Sequence, residues 1–489
     1  MNVTKNDLFY ILMSIVVAAI GVLAVNNTNS NVGLYGLFGL VGIAVVMAII
    51  IKPSLGANIL VITVFTNISD LLTKQGFPGI MKPLVAVVAL GLLVRYLYTG
   101  QMSIWHPKTV RAELFLIAYF IVVTISFVVA SDQNRALAEI VDLGKDIVII
   151  YCIVSALQEA RLWKQTTWLI IITSSLLCLL GLYQLVTNNY EQTFFRLADI
   201  QMDQALASSS TPRIAGPIND PNLWGQVLVA VSVLVMFRII HEKNALVKLV
   251  CVLMLGLILF IVLNTYSRGA YLVVTINMLL ILLLYWKRIN PIVILAGLTL
   301  VILLLPFIPV TYRDRFTSLF LVTEKNGVYE DTSLRGRSSE MLTGLAMFSD
   351  HPILGVGAAN YNTNYQRYAQ LIGIEFRAEA RDPHSLYIQV LAETGILGTL
   401  AFFGMVFFLF NALGRAGQAI EKVQRLEEWL PWLNAIRLAI LSYLLTSVFL
   451  HNAYIRYFWI LVAMALAAIQ ITYNMLNRAE RNTPLEARL

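Results

Sequence analysis

Long apolar runs recur along nearly the whole chain, and they constrain the fold more than any other feature. A run of about 17 to 25 apolar residues is long enough to cross a hydrocarbon core of about 30 Å as one helix. Charged residues make up 13% of the 489 positions, whereas roughly 25% is usual in soluble domains. The sequence therefore predicts an all-α polytopic membrane protein in which residues 1–489 form a single membrane-embedded unit.

These runs predict about 12 to 14 transmembrane helices. Two of them are interrupted by polar residues such as Asp70 and Asp142, which is the reason for giving a range. The first run has no small-residue cleavage pattern, so we expect a retained helix and not a signal peptide. The runs lie at 8–25, 33–51, 55–71, 82–98, 112–130, 141–157, 165–186, 222–239, 246–264, 269–286, 291–310, 386–411, 434–450 and 454–474.

Lysine and arginine are concentrated in alternate connections between the runs, such as those with Lys52 and Lys287, while the connection at 26–32 has none. Basic residues in short loops mark the cytoplasmic side of a membrane protein. This pattern predicts that both termini are cytoplasmic and that two long loops, 187–221 and 311–385, lie outside. It also explains the net charge of +7 without nucleic acid, which we do not expect as a partner.

The larger outer loop is rich in arginine and contains a single lysine, Lys325. Arginine presents a planar fork of donors that matches phosphate oxygens bidentately, whereas lysine is a mobile point charge. The loop is therefore predicted to bind an anion with diffuse charge, and a diphosphate fits best. Its basic residues are Arg313, Arg315, Arg335, Arg337, Arg367, Arg377 and Arg381, followed by His384.

Two polar segments could place these cations beside the membrane. The turn at 265–270 carries Arg268 at the start of a helix, where the helix dipole favours an anion, although snorkelling to lipid headgroups is an equal alternative. Residues 333–351 have an apolar stripe at helical spacing, which predicts an amphipathic helix that presents Arg335 and Arg337. A helix that only anchors the loop to the interface would have the same pattern.

His384 lies where the large loop re-enters the apolar region. A histidine can accept the proton of an attacking hydroxyl, although a lone histidine is more often structural. We favour the catalytic interpretation because His384 follows an arginine-rich loop. Cys152, Cys178 and Cys251 are far apart and have no CxxC partner, so the sequence suggests neither a disulfide nor a metal site.

Three motifs resemble the O-antigen ligase and O-antigen polymerase superfamily: SRGA at 267–270, the block from Arg337 to Tyr361, and HSLYIQVLAETGILG at 384–398. The resemblance covers about the last half of the chain. It implies a GT-C-type membrane enzyme that transfers a glycan from undecaprenyl diphosphate to a hydroxyl acceptor, without metal or cofactor. It also implies the outer face of the bacterial cytoplasmic membrane, in cell-surface polysaccharide synthesis.

The resemblance also implies roles for individual residues. Arg268 and Arg337 match the diphosphate-binding arginines of the superfamily, and His384 matches its essential loop histidine. We add Arg335 and Arg213 as supporting cations for the diphosphate. Members often have tryptophan four residues after the second arginine, where this chain has Met341. The expected partners are the lipid-linked oligosaccharide donor, a glycan or lipid-anchored acceptor, membrane lipids and a chain-length regulator.

Two other function classes remain open from the sequence. A transporter, either a flippase for lipid-linked oligosaccharides or an anion or bicarbonate carrier, would usually show repeated halves and ionisable residues at the bilayer midplane. A non-catalytic assembly subunit would leave the convergence of arginines and His384 unexplained. Within the superfamily the motifs do not separate a ligase from a polymerase, because the two differ in the acceptor.

Overall fold

The computed structural model describes residues 30–100, 106–203, 211–285, 332–372, 381–451 and 453–481. Helices α1 to α7 precede a two-stranded hairpin in this part of the chain, and α8 to α15 follow it. The first set comprises α1 (Ser30–Ile51), α2 (Pro53–Phe65), α3 (Ile68–Lys74), α4 (Met81–Thr99), α5 (Val110–Ile125), α6 (Gln133–Ala156) and α7 (Ala160–Thr187).

The second set is interrupted by the residues that lie outside the described ranges. The hairpin comprises β1 (Asp199–Asp203) and β2 (Thr211–Gly216), and the helices after it are α8 (Pro221–His241), α9 (Ala245–Asn264), α10 (Arg268–Tyr285), α11 (Thr332–Asp350), α12 (Tyr361–Ile372), α13 (Leu386–Glu421), α14 (Leu430–Thr446) and α15 (Arg456–Arg481). Short 3-10 helices occur at Ser126–Val129, Gln424–Trp429 and Ser447–Phe449.

The predicted all-α polytopic architecture is confirmed. Within the described ranges, nine helices are long and apolar enough to cross a membrane, and the pair α1 and α2, bent by 119°, makes up to ten. The predicted runs at 8–25 and 291–310 lie outside those ranges. Helix α6 covers the weak 141–157 run but is not among the nine, because charged side chains cross its apolar surface.

Two helices form the centre of the bundle. The apolar window of α8 is 89% buried and that of α15 is 78% buried, so neither presents much surface to lipid. Helix α8 packs against α9, α10 and α14, while α15 packs against α6, α13 and α14. Asp220 begins α8 by accepting hydrogen bonds from the backbone N–H groups of Asn222 and Leu223 at 2.8 and 3.1 Å, which satisfies donors that a helix start leaves unpaired.

The 187–221 loop contains structure that the sequence analysis did not anticipate. Strands β1 and β2 pair antiparallel, with Gln201 opposite Arg213. Gln184, buried near the end of α7, donates to the backbone carbonyls of Gln192 and Ala198, both at 2.7 Å. The loop is thereby fastened to the bundle, and β2 leads directly into the start of α8.

Helix α13 is broken at Gly395, and the break accommodates a turn at 352–357. Gly355 and Gly395 both have positive φ, at +67° and +63°, where a side chain is strained. The two backbones approach so closely that a Cβ on Gly355 would lie 2.4 Å from the Ala392 carbonyl oxygen. Backbone hydrogen bonds from Val356 to Ala392 and from Ile396 to Pro352, at 2.9 and 2.8 Å, close the junction.

Candidate functional site

Helices α11 and α12 form a small unit over one end of the bundle. The unit has its own apolar core, which includes Met347, Tyr361 and Tyr365 and extends to Ile388 on α13. Helix α11 lies close to α13, since a Cβ on Gly344 would be 2.2 Å from a methyl group of Ile388. A helix at the predicted position is therefore confirmed, and it packs through Gly344 and Met347. Met341, Leu342 and Leu345 of the predicted apolar stripe are exposed, so contact of this stripe with the membrane interface stays a prediction.

His384 lies in the short segment between the described start at Arg381 and the first turn of α13. Its φ of +41° is unusual for a residue with a side chain, and the neighbouring contacts hold it there. The ring Nδ1 lies 2.9 Å from Oε2 of Glu340 and 3.0 Å from the backbone oxygen of Asp382. Both partners are acceptors, so Nδ1 carries the proton and Nε2 of the neutral ring keeps its lone pair.

Glu340 is the buried carboxylate that orients this histidine. It is only 2% exposed, and its other oxygen lies 3.5 Å from the guanidinium of Arg381. A carboxylate needs such partners because an isolated buried charge is strongly disfavoured. The arrangement resembles the acid and histidine pair of hydrolase triads, in which the carboxylate fixes the tautomer and stabilises the protonated ring.

The charges around His384 act on its pKa in opposite directions. Burial lowers the pKa of the ring, but the hydrogen bond and the negative charge of Glu340 outweigh burial and raise it above its usual value. The charge of Arg337 opposes that increase. Arg337 therefore lies near enough to influence His384, and it precedes Glu340 by one turn of α11.

A second histidine faces the first. The ring centroids of His384 and His451 are 5.5 Å apart with the planes at 75°, and Nε2 of His451 is 3.4 Å from Asp382. Burial lowers the pKa of His451, and the nearby carboxylate of Asp382 only partly offsets that effect. The two rings therefore differ in basicity, because the pKa of His384 is raised and that of His451 is lowered.

Arg213 has a defined structural contact on β2. Its Nε donates to the backbone oxygen of Thr265 at 3.0 Å, and an Nη donates to Oδ1 of Asn222 at 3.1 Å. These bonds join the hairpin to the start of α8 and to the turn before α10. Arg213 therefore holds the turn that leads to Arg268.

Arg268 is the first residue of α10 and is half-buried. The small residues of the predicted turn allow close packing there: a Cβ on Gly269 would lie 2.9 Å from the ring of Phe449, and one on Gly225 would lie 3.1 Å from Thr265. Phe449 precedes His451 by two residues. The start of α10 is therefore beside the segment that carries His451, which faces His384.

We call this end of the bundle the site face, and it comprises the starts of α8, α10, α11, α13 and α15 with the hairpin. It brings Arg213, Arg268, Arg337, His384 and His451 into one neighbourhood through the contacts above. The side chain of Arg335 lies outside the described residues, as do Arg313, Arg315 and Arg377. Arg367 lies on α12 with its guanidinium 5.6 Å from the ring centre of Tyr368.

Sequence reasoning missed two residues of this site, Glu340 and His451. A weak signal existed for Glu340, because it follows Arg337 by three residues on a predicted helix and so shares its face. His451 lies in a short connection between two apolar runs, where no motif or charge pattern marks it. Neither position reveals its contact with His384 without the tertiary structure.

Metal ligation receives no support from the described part of the chain, where no group of three or more His, Cys, Asp or Glu side chains could hold a metal ion. The three cysteines are buried and free. What the site offers instead is a histidine with an orienting carboxylate, next to fixed guanidinium groups. Such a set can accept a proton and stabilise a leaving group that carries negative charge.

Residues 249–403 match the family model described as O-antigen ligase. No curated protein matches the chain. The matched region extends from α9 into the first half of α13, so it includes Arg268, Arg337, Glu340 and His384. Arg213 and His451 lie outside it, although both reach the same site face.

Proposed function

We propose that this chain, whose residues 249–403 match the O-antigen ligase family model, transfers a glycan from undecaprenyl diphosphate to a hydroxyl acceptor. The observation that carries the proposal is the contact of His384 with the buried Glu340, one helical turn from Arg337. The matched region therefore contains a proton acceptor and, close to it, a guanidinium. The reaction belongs to cell-surface polysaccharide synthesis.

The first half of the proposed step concerns the acceptor. An acceptor hydroxyl attacks C1 of the donor sugar, and its proton passes to Nε2 of His384 as the new C–O bond forms. Glu340 stabilises the imidazolium that results, because its carboxylate accepts the hydrogen bond from Nδ1. General-base assistance of this kind typically contributes about 10² to 10⁴ in rate.

The second half concerns the leaving group. The bond between C1 and the diphosphate oxygen breaks, and its electron pair leaves with undecaprenyl diphosphate. Arg268 and Arg337 bind the developing negative charge, which favours the transition state over the ground state. Arg335 is proposed as a supporting cation. Arg213 acts mainly through Thr265, to which it donates a hydrogen bond, and so positions Arg268.

We further propose that the site face lies outside the cytoplasm. The support is the distribution of lysine and arginine in the sequence, which favours cytoplasmic termini and therefore an outer position for 187–221 and 311–385. Lipid-linked glycans with a diphosphate at the headgroup level would then meet Arg268 and Arg337. The polyprenyl chain would lie along the exposed apolar faces of α9 and α10, where Leu253 and Leu283 face outward.

A direct transfer assay tests this function. Full-length protein in nanodiscs, given undecaprenyl-diphosphate-linked glycan and a hydroxyl acceptor, is expected to release undecaprenyl diphosphate and glycosylate the acceptor. Transfer should be unchanged in EDTA, because protein cations replace a metal at the diphosphate. Activity that EDTA abolishes and Mg²⁺ restores would contradict the metal-free mechanism.

The same protein reconstituted into liposomes distinguishes an enzyme from a transporter. In liposomes without lipid-linked sugar, the protein should move no bicarbonate in counterflow. With labelled donor on one leaflet and no acceptor, it should not transfer donor to the other leaflet. Movement in either assay, together with no glycosylated product, would favour the carrier or flippase alternative.

Glu340→Gln is expected to shift the acidic limb of the pH profile. His384 must be neutral to act as a base, so transfer should rise with pH through the pKa that Glu340 raises. Removing the carboxylate charge lowers that pKa, and the limb of kcat/KM should move to lower pH. The plateau should fall by roughly 10²-fold, because the tautomer is no longer fixed. If the acidic limb of the Glu340→Gln profile stays at the wild-type pH, that result would contradict the pairing of Glu340 with His384.

A further inference from the structure

His451 lies outside the matched region, in the segment that joins α14 to α15, and two hydrogen bonds hold that segment against α13. The backbone N–H of Ala453 donates to Oε1 of Gln389 at 3.1 Å. The hydroxyl of Tyr454 donates to Oε2 of Glu393 at 2.9 Å. Because Gln389 and Glu393 are four residues apart, they lie on the same side of α13. The position of His451 is therefore set by α13.

Glu393 also connects this segment to the carboxylate that orients His384. Its side chain is buried, and Oε1 accepts a hydrogen bond from the backbone N–H of Tyr361 at 3.3 Å. The Tyr361 hydroxyl in turn donates to the backbone oxygen of Glu340. Glu340 and His451 both contact the ring of His384. One buried side chain therefore helps to fix both neighbours of that ring.

The contact between the two histidines supports a strained base and leaves part of each ring accessible. The exposed fractions of the His384 and His451 side chains are 30% and 31%. The φ of +41° at His384 is a conformation that persists only where surrounding contacts hold it. Glu340 holds the ring at Nδ1, and His451 packs against the ring in a T-shaped arrangement. A change at His451 therefore acts directly on the base.

Asp382 is contacted by both histidines. Its backbone oxygen lies 3.0 Å from Nδ1 of His384, and its Oδ2 lies 3.4 Å from Nε2 of His451. An ionised carboxylate can only accept, so the neutral His451 ring carries its proton on Nε2. The two rings are therefore opposite tautomers: His451 presents an N–H group to Asp382, whereas His384 keeps a lone pair at its own Nε2.

The charges around the two rings favour one proton for the pair, and that proton belongs on His384. Burial lowers the pKa of His451, the carboxylate of Asp382 opposes that effect, and a proton on His384 lowers the pKa further. The interaction of two titrating groups is mutual, so a proton on one ring disfavours a proton on the other. Among the described residues, the charged groups around the pair are Asp220 at the start of α8, Arg337 and Glu340 on α11, and Arg381 and Asp382 before α13.

We propose that His451 is a positioning residue for the base: its neutral ring packs on His384 and holds Asp382 through Nε2, so that Nε2 of His384 stays directed at the acceptor. The inference rests on the proposed function, in which that atom takes the proton of the acceptor hydroxyl. His451 neither gives nor takes a proton in this step. It extends the functional site to a residue beyond the region 249–403.

Two substitutions separate the packing of His451 from its N–H donor. His451→Gln keeps an amide donor and is uncharged at every pH, whereas His451→Phe keeps a ring and removes the donor. We expect kcat to fall by roughly 10- to 10²-fold in His451→Phe, because the base is displaced, and by less than about threefold in His451→Gln. The KM for the lipid-linked donor should change by less than about twofold in both, since the arginines remain.

His351→Phe is the matched control for these variants. His351 is exposed just after the end of α11, so its removal should leave kcat at the wild-type value. A wild-type kcat in His451→Phe would overturn the proposal, because the donor to Asp382 would not be needed. Equal losses in His451→Phe and His451→Gln would overturn it as well, because the imidazole itself would then be required.

The pH profile distinguishes positioning from proton transfer. His384 is the group that must lose its proton before transfer, so the acidic limb of kcat/KM should stay at the wild-type pH in His451→Gln. A purely structural defect would lower the whole profile in this variant as much as in His451→Phe. If the acidic limb disappears in His451→Gln, then His451 is the base and the proposal is wrong.

Histidine NMR tests the pairing without turnover. The chain has five histidines, so full-length protein labelled at histidine in nanodiscs gives few ring signals, and single substitutions assign them. In the wild type, His384 should carry its proton on Nδ1 and His451 on Nε2. The pKa of His451 should rise in His384→Gln, because the charge of the neighbouring ring is lost. In His451→Phe, the His384 ring should populate both tautomers.

Three NMR results would overturn the proposal: a His451 proton on Nδ1, a His451 pKa that is the same in His384→Gln as in the wild type, or His384 signals that His451→Phe leaves unchanged. The NMR measurement needs neither donor nor acceptor. If the wild-type protein transfers no glycan, the proposed function fails, whereas the ring signals still decide whether His451 positions His384.

Discussion

Replacement of His384 by alanine is expected to slow glycan transfer by about 10²- to 10⁴-fold, because the acceptor hydroxyl loses its base. The ring is held by Glu340 and Asp382 through Nδ1, which leaves Nε2 for the acceptor. The loss should therefore appear in kcat, while the KM for the lipid-linked donor changes little, since the arginines still bind the diphosphate. Single-turnover assays with saturating donor and acceptor measure this effect.

The matched control is His106→Ala. His106 stacks on Tyr473 with ring centroids 5.4 Å apart, near the other end of α15 from Arg456. The His106→Ala variant should transfer glycan at the wild-type rate. The comparison then shows that a loss in His384→Ala comes from the missing base and not from the removal of a histidine in general. Transfer by His384→Ala at the wild-type rate, with normal folding, would remove His384 from the mechanism.

Arg337→Ala and Arg268→Ala are expected to lower kcat by about 10²- to 10³-fold each, comparable to the loss of one fixed donor at a developing oxyanion. The diphosphate leaves as an anion, and each guanidinium is proposed to bind its oxygens in a bidentate manner. Arg337→Lys and Arg268→Lys should recover only part of the rate, because an ammonium group cannot reproduce the planar fork. Inhibition by free undecaprenyl diphosphate should be weakened most in the alanine variants and less in the lysine variants.

Arg367→Ala is the control for this pair of variants. Arg367 belongs to the same helical unit, but its guanidinium stacks on Tyr368. Its removal should change kcat by less than about twofold, as is usual for surface positions away from a site. Equal losses for Arg367 and Arg337 would indicate a general effect of loop charge. Such a result would contradict a diphosphate clamp built from Arg337.

The helices long enough to cross a membrane could be predicted from the sequence, because the apolar run that specifies each of them is a local pattern. A run such as 222–239 is apolar all round and long enough to span a bilayer, and it corresponds to α8 (Pro221–His241). The helix at 333–351 was likewise predictable from its apolar residues at helical spacing. The hairpin of 199–216 had no comparable pattern, because its short strands depend on anchoring by Gln184.

Charged residues inside the helical runs were the least predictable part. Asp142 and Asp146 made the 141–157 run look weak, yet they belong to a continuous helix, α6. Their partner Arg456 is more than 300 positions away, with its Nε 3.2 Å from Asp146. A local reading counts such charges as interruptions, whereas a distant counter-charge makes burial acceptable.

The sequence by itself determined that this chain is a helical membrane protein, because hydrophobic length and the spacing of basic residues act locally. It also indicated Arg268, Arg337 and His384 through residue type and motif. Only the tertiary structure decided that Glu340 fixes the His384 ring, that His451 faces it, and that Arg456 pairs with Asp146. These are contacts between side chains far apart along the chain, and they arise from how α11, α13 and α15 pack together.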